Sequence, residues 1–430
     1  MAEIDDETPR SAVSASIQPL WRLHRVPAHV RQDKKYIYEP AMVPLGPYHQ
    51  KEHPQLHLVE PLKNELLDMV CTDAVRKSFL LSKICERIHE IRHFYGGADD
   101  YDDKELSEMM LRDACFLKFV MDASQTNLIR QRLGMSGQSF MFGDTLMLEN
   151  QIPLWLVSLI FPNYKSLMCH FLSDIVFGDD RMTQLPWENR WGVEPIHSLE
   201  ALIHAYVVPH ETHEISSTPK FLRFFNRCFQ PKLEKKRPTT LWQKLNNSFR
   251  SATDLKAKGI HFRRSSNCLT DIQFFSFAFY AELRLPFFYI SDVSKVFFSN
   301  AIAFEMSPEA RDPTYGMTTY FTFMKTLIHN VNDVKVLREK GILYSLLTRD
   351  EEVVELFKSI DTYGLATTIY FTGVKARIEE HCNNKGRTWM ADLINTKFQS
   401  PWTVMALAAA AFLLCLTFLQ TYYTINPATN

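Results

Sequence analysis

Apolar residues recur at spacings of three and four along most of the chain, the signature of helices with one buried face. Leu58, Leu62, Leu66 and Met69 predict a helix over 56–70. Val75, Phe79, Ile84, Ile88 and Ile91 predict a second over 73–95, closed by Gly96-Gly97. After an acidic stretch at 99–103, Leu106, Met110, Ala114, Leu117 and Val120 mark a helix over 104–121. Glycines between Gly134 and Gly143 read as a loop, with an apolar helix over 144–161 after it. The pattern changes at 271–286, where aromatic residues partly alternate with polar ones, as in a short β-hairpin. Further helices are expected from Asp292, as a cap, to Phe304, and over 320–329 and 334–339, with Gly341 as a stop. Thr348-Arg-Asp-Glu351 has capping-box spacing, ahead of a helix burying Val353, Leu356, Phe357 and Ile360. The last helix of the body starts near Thr367. There is no internal repeat or heptad run.

The end of the chain follows a different rule. From Phe398 to Asn430 there is no Asp, Glu, Lys or Arg. Trp402 to Tyr423 would form a helix of about 33 Å, enough for roughly 30 Å of bilayer hydrocarbon. Trp402 stands at one edge and Tyr422 and Tyr423 at the other, where aromatic rings favour the interface. This predicts a single C-terminal membrane anchor; the rival reading is a buried C-terminal helix. Lys375, Arg377, Lys385, Arg387 and Lys397 precede the span and no charge follows it. That asymmetry places the body in the cytosol. The acidic start, Met1 to Arg10, has no apolar segment of the signal-peptide kind.

Composition narrows the class only a little. A hydrophobic content of 46% is ordinary for a globular protein, and a net charge of -1 supplies no overall field to steer nucleic acid. Cysteines 71, 85, 115, 169, 228, 268, 382 and 415 contain no Cys-x-x-Cys pair and read as reduced thiols. The one glycosylation triplet, Asn246-Asn-Ser248, has no meaning in a cytosolic body.

One segment stands out by charge. Between Lys232 and Arg264, ten Lys/Arg face only Glu234 and Asp254, a local net of +8. It reads as a solvated linker between two lobes. The rivals are a contact with anionic lipid through Lys235, Lys236 and Arg237, and a nuclear-import or nucleic-acid patch.

Catalytic signatures are missing. No P-loop, Gly-x-Gly-x-x-Gly or Gly-x-Ser-x-Gly occurs. His49, His53 and His57 fall four apart, but Pro47 and Pro54 interrupt any helix that would align them on a metal. His210 and His213 do not form His-Glu-x-x-His, and no Cys-His pairing is favoured over another. Glu149-Asn150-Gln151 is polar between Leu146, Leu148, Ile152 and Leu154. Two roles fit it: a buried hydrogen-bond network that fixes helix packing, or a general acid/base site.

Six ordered blocks together resemble a plant-specific family known as domain of unknown function 247. They are Tyr38-Glu-Pro40 with Val43-Pro-Leu-Gly46-Pro47-Tyr48-His49 and Leu62-Lys63; Arg112-Asp-Ala-Cys-Phe116; and Leu148-Glu149-Asn150-Gln151-Ile152-Pro153. Ala252-Thr-Asp-Leu255, Gly259-Ile-His-Phe262 and Leu269-Thr-Asp-Ile272 form the fourth, and Ile302-Ala-Phe-Glu305 and Asp333 to Ile342 the last two. The likeness runs from Tyr38 to His381 and extends to the C-terminal anchor. Pro44 and Ala114 depart from the usual residues of the family. The resemblance implies no established enzyme activity. Some grass members act as pollen-side determinants of self-incompatibility, which implies partner recognition at a membrane.

The expected protein is therefore mainly α, a multi-helix globular body with a minor β-hairpin and one C-terminal transmembrane helix. Residues 1–33 are expected to be a tail, 34–397 the family domain, with the basic segment 231–250 between two lobes, and 398–430 the anchor. The expected function is membrane-anchored, non-enzymatic recognition or signalling through a protein partner, without cofactor, metal, nucleic acid or small-molecule substrate. The alternatives are a membrane-tethered enzyme, acting through Glu149, His49 or a cysteine, and a structural scaffold.

Overall fold

The structure, a computed structural model, describes residues 22–50, 59–172, 250–307, 315–363, 371–383 and 401–425, with 174 and 178; residues 24, 32, 97, 266–268 and 278–279 are excepted. Two short helices, α1 (Ala28–Arg31) and α2 (Lys35–Tyr38), lead into α3 (Glu60–Val70), α4 (Ala74–Cys85), α5 (Ile88–Phe94) and α6 (Asp103–Met121). Helices α7 (Thr126–Thr145), α8 (Leu154–Ile160) and α9 (Tyr164–Leu172) complete the first half. The long helix α6 is its axis, and α3, α4, α7, α8 and α9 all pack on it. Its start is fixed by a capping box, Asp102 accepting from the Glu105 amide and Glu105 from the Asp102 amide. Its stripe is buried as the spacing predicts, from Leu106 through Met110, Ala114 and Leu117 to Val120.

The second half opens with α10 (Ala252–Ala257) and a sheet of β1 (Ile260–Ser265), β2 (Gln273–Phe277) and β3 (Tyr280–Pro286), in the order β1-β3-β2. The predicted hairpin is there as β2 and β3, antiparallel, with Phe274 opposite Leu283. The sequence pattern did not reveal β1, which joins β3 in parallel and pairs Phe262 with Leu283. A second, two-stranded sheet pairs β4 (Phe288–Ile290) with β5 (Leu343–Ser345) in parallel. Around them lie α11 (Ser294–Glu305), α12 (Gly316–Leu327), α13 (Val331–Glu339), α14 (Asp350–Ser359) and α15 (Thr372–Asn383). Phe288 centres an aromatic cluster, with the rings of Phe298, Tyr320, Phe321 and Phe357 at 4.9 to 5.6 Å. The two halves share one hydrophobic core.

Several expectations are corrected. The helix expected over 73–95 breaks at Glu86-Arg87 into α4 and α5, and α4 turns Leu80 and Ile84 inward. Val75 is left 80% exposed and Phe79 58%. On α3, Leu67 and Val70 are buried where Met69 was expected, and Met69 is 50% exposed. The glycines of 134–143 lie inside α7, which is kinked at Gly134 (φ 72°). The helix expected over 144–161 covers only Leu154–Ile160, and 148–153 is a turn and an extended stretch. Asp292 does not cap α11, whose N-cap is Val293, and α14 begins at Arg349 with no side-chain cap. The expected tail over 1–33 includes residues that join the body, because Leu23 and Val26 are buried.

The last helix, α16 (Pro401–Ile425), is 25 residues long. Its side chains are described at 405–406, 409–422 and 424. Counted over described residues alone, no helix is long and apolar enough to cross a membrane. Most of the basic segment lies outside the described residues, Lys235, Lys236 and Arg237 included, as do His53, His57, His210, His213, Asn246, Lys385, Arg387 and Lys397. The described cysteine side chains are free thiols; Cys71, Cys115 and Cys382 are buried and Cys85 and Cys415 exposed.

Candidate functional site

Residues 22–50 form a strap that crosses the molecule mostly as extended or turning chain, so its amides have few backbone partners. Buried amides must nonetheless be paired. Three buried carboxylates, Asp113, Asp144 and Glu149, and one buried amide side chain, Asn150, do this work. Asp144, at the end of α7, accepts from the backbone N–H of Ala41 at 2.9 Å and of Met42 and Val43 at 2.8 Å. Burial pushes its carboxyl up to about 6 against those three donors. Asp113, on α6, accepts from the Gly46 amide at 2.8 Å and from Lys63 Nζ at 2.8 Å. Lys63, on α3, also donates to the Pro44 carbonyl. Burial raises the Asp113 carboxyl although the Lys63 ammonium opposes it.

The turn after α7 contributes Glu149, Asn150 and Gln151, all buried. Asn150 accepts from Leu45 N–H at 2.6 Å and donates to the carbonyls of Val43 at 2.8 Å and Asp144 at 2.9 Å. Gln151 Nε2 donates to the carbonyls of Thr145 and Met147, and its own carbonyl accepts from Tyr95 Oη at 2.8 Å. Glu149 Oε1 accepts from Val26 N–H at 2.5 Å and from the Arg31 guanidinium. Pro153 ends the turn as the N-cap residue of α8. Asn300, on α11, accepts from Leu148 N–H at 2.9 Å and donates to the Ile37 carbonyl at 2.8 Å, tying the same turn and strap to the second half.

Gly46 has φ +68°, and a Cβ there would stand 2.5 Å from Tyr95 Oη. Only glycine combines that backbone with that approach. Buried Pro47 follows it. Tyr48 packs edge-on against Tyr95 at 5.4 Å, and its hydroxyl donates to the carbonyls of Leu23 and Tyr95. His49 is fully buried, with Nε2 3.9 Å from Glu149 Oε2. Burial raises the Glu149 carboxyl, and Arg31 opposes the rise.

An acid raised by burial beside an imidazole is a possible general acid/base pair. Both side chains are fully buried. Among the described residues no group of three His, Cys, Asp or Glu converges as a metal site.

The second half repeats the device. Glu305 accepts from the amides of Met317 and Thr318 and from the Thr318 hydroxyl, fixing the start of α12. Asp333 accepts from the amides of Thr253, His329 and Asn330. Burial opposes its ionisation, and the Thr253 hydroxyl and these amides outweigh it, so it titrates below its ordinary value.

Residues 23–416 match the model of DUF247, described as a plant protein of unknown function. The chain belongs to the DUF247 family. It is 24% identical over 432 residues to UPF0481 protein At3g47200 of Arabidopsis thaliana, covering 95% of this chain and 87% of that one. It is 21% identical over 472 residues to Putative UPF0481 protein At3g02645 of the same plant, covering 90% and 86%. No solved structure matches it.

Three of the six blocks that carried the family resemblance, at 38–63, 112–116 and 148–153, supply groups that clamp the strap. Gly46, Pro47, Tyr48 and His49 lie on the strap, Glu149 and Asn150 hold it, and Gln151 and Pro153 shape the turn that carries them. Asp113, Asp144, Lys63 and Asn300 were not singled out as functional from the DUF247 sequence. Two carry a readable signal. Asp113 lies three residues after Met110 and four before Leu117, on the buried stripe of α6, and Lys63 lies three before Leu66 and four before Leu67. A charge on an apolar stripe needs a buried partner.

Proposed function

We propose that this DUF247 protein is a membrane-anchored recognition or signalling protein that carries out no chemistry of its own. The observation that carries the reading is α16, 25 residues of helix without a charged side chain. At 1.5 Å per residue that is about 37 Å, longer than the roughly 30 Å of a bilayer core. Phe412, Leu414 and Phe418 are 64 to 74% exposed, and covering such side chains is worth about 1.5–3 kcal/mol each. The hydroxyls of Thr417, Thr421 and Thr424 donate to carbonyls four residues earlier, which suits them to hydrocarbon. The basic residues that precede the helix favour the cytosolic side for the body.

The non-catalytic part of the reading is supported by what the conspicuous polar residues do. Asp113, Asp144, Asn150, Glu305 and Asp333 are engaged by backbone groups. The partner on this reading is another protein, in keeping with the recognition role of some grass members of the family. The Glu149–His49 approach favours the competing reading, a membrane-tethered enzyme.

Cell fractionation tests the anchor. The full chain is expected in the membrane pellet after alkaline carbonate, and a chain lacking 398–430 in the supernatant. Protease added outside intact cells should leave the body whole. Membrane recovery that ignores the deletion, or digestion of the body from outside, would overturn the reading.

A further inference from the structure

The strap and the end of α11 leave a cavity between them. It measures about 360 Å³, and Val26, Val30, Leu148, Ala303 and Met306 give it apolar walls. That volume and that composition are those of a small-molecule site. Atoms that face a void forgo dispersion contacts, and water finds few polar partners on such walls, so an apolar guest gains on both counts. The strap wall is fixed, because Val26 N–H donates to Glu149.

Two observations set the chemistry of the guest. The first is charge. Among the described residues that line the cavity there is no Asp or Glu. Arg25 lines it, but its guanidinium is engaged within the fold: it lies over the Tyr48 ring, 4.4 Å from its centre, and faces the Glu149 carboxylate. His29 lies on the exposed rim. A charged guest would therefore give up its water with no unengaged opposite charge on the buried walls to replace it. The second is Tyr363, which also lines the cavity. Its backbone lies at φ +50°, a conformation that is costly for a bulky residue and that gathers at ligand clamps. Its hydroxyl is bonded to that of Tyr38 at 3.0 Å, so the side chain is held in place. A fixed aromatic residue and the Met306 thioether on one cavity suit an aromatic guest.

We propose that this cavity binds a small, uncharged aromatic molecule. Its ring system packs on Tyr363 and Met306 and against Val26, Leu148 and Ala303, and it leaves the ion pairs around Glu149 undisturbed. The site stands whether or not α16 enters a bilayer.

The test is calorimetric titration of the full-length chain in mild detergent, blanked against detergent alone. The probes are 2-naphthol, uncharged at neutral pH, and 2-naphthoate, which has nearly the same shape and carries a charge. Naphthol should bind saturably at one site, and naphthoate at least about tenfold more weakly. Tyr363→Leu should weaken naphthol by roughly two- to tenfold, the share of one aromatic pair. Ala303→Phe, which fills the cavity, should abolish naphthol binding. Circular dichroism checks that each variant is folded; if Ala303→Phe is not, Val30→Trp fills the same space from the half-buried rim. No saturable naphthol binding to the unaltered chain, binding that survives the filled cavity or ignores Tyr363→Leu, or naphthoate binding as tight as that of naphthol would overturn the proposal.

Discussion

Replacing Asn150 by Ala removes the side chain with the most demanding set of partners in the clamp. Three buried backbone groups lose a bond: the N–H of Leu45 and the carbonyls of Val43 and Asp144. A buried polar group left unpaired costs about 1–3 kcal/mol. The Asp144 carbonyl keeps the Met147 N–H at 3.2 Å, so two groups are left unpaired, and even at the low end they give about 2 kcal/mol, a large part of the roughly 5–15 kcal/mol that ordinarily separates folded from unfolded chain. Asn150→Asp sharpens the test. It keeps the acceptor for Leu45 but turns both donated bonds into contacts between oxygens, so at neutral pH it should cost at least as much as the alanine. Urea unfolding of the full-length chain, followed by tryptophan fluorescence and circular dichroism, measures both. If both variants lose less than about 1 kcal/mol, Asn150 does not hold the strap and the reasoning fails.

Other parts of the clamp give independent tests. Gly46→Ala meets both positive φ and the Tyr95 ring, whereas Gly134→Ala meets positive φ with nothing within 4 Å, so the first should be the costlier by at least about 1 kcal/mol in the same urea assay. Lys63→Met leaves Asp113 buried without its cation and should cost about 3–5 kcal/mol; adding Asp113→Asn, which removes the charge and keeps an acceptor for the Gly46 amide, should recover much of that, and no recovery would deny the pairing. Asp144 sets a pH dependence. Its carboxyl is raised from 3.8 to about 6 in the fold, so the folded chain keeps a proton that the unfolded chain releases. Stability should therefore fall as pH rises from about 4 to about 6, by about 3 kcal/mol from this residue, and level off above. Urea unfolding across that range should show a shallower fall in Asp144→Asn; an equal slope would clear Asp144 of the effect.

The sequence made the long periodic elements legible and hid what depends on distant partners. Helix α6 could be read because its stripe repeats unbroken from Leu106 to Val120. In α4 two apolar rows compete, Val75 and Phe79 against Leu80 and Ile84, and only packing on α6 selects the second. Glycine counts misled at 134–143, since one glycine at positive φ kinks α7 without ending it. Leu146, Leu148, Ile152 and Leu154 looked like a helix face, yet the polar residues between them take backbone partners from the strap, and a turn replaces the helix. β1 was concealed within the charge run because Arg263 and Arg264 sit on a strand whose Ile260 and Phe262 face the core. The polar roles of Glu149 and Asn150 were open in the sequence between packing and catalysis, because their partners on the strap lie more than about 100 residues away.

Native-state hydrogen exchange of the full chain reads the clamp most directly. The amides of Val26, Ala41, Met42, Val43, Leu45 and Gly46 donate to side chains alone. They should exchange as slowly as amides in the middle of α6, although they belong to no helix or sheet. Exchange at the rate of a solvated loop would mean that the side chains do not hold the strap.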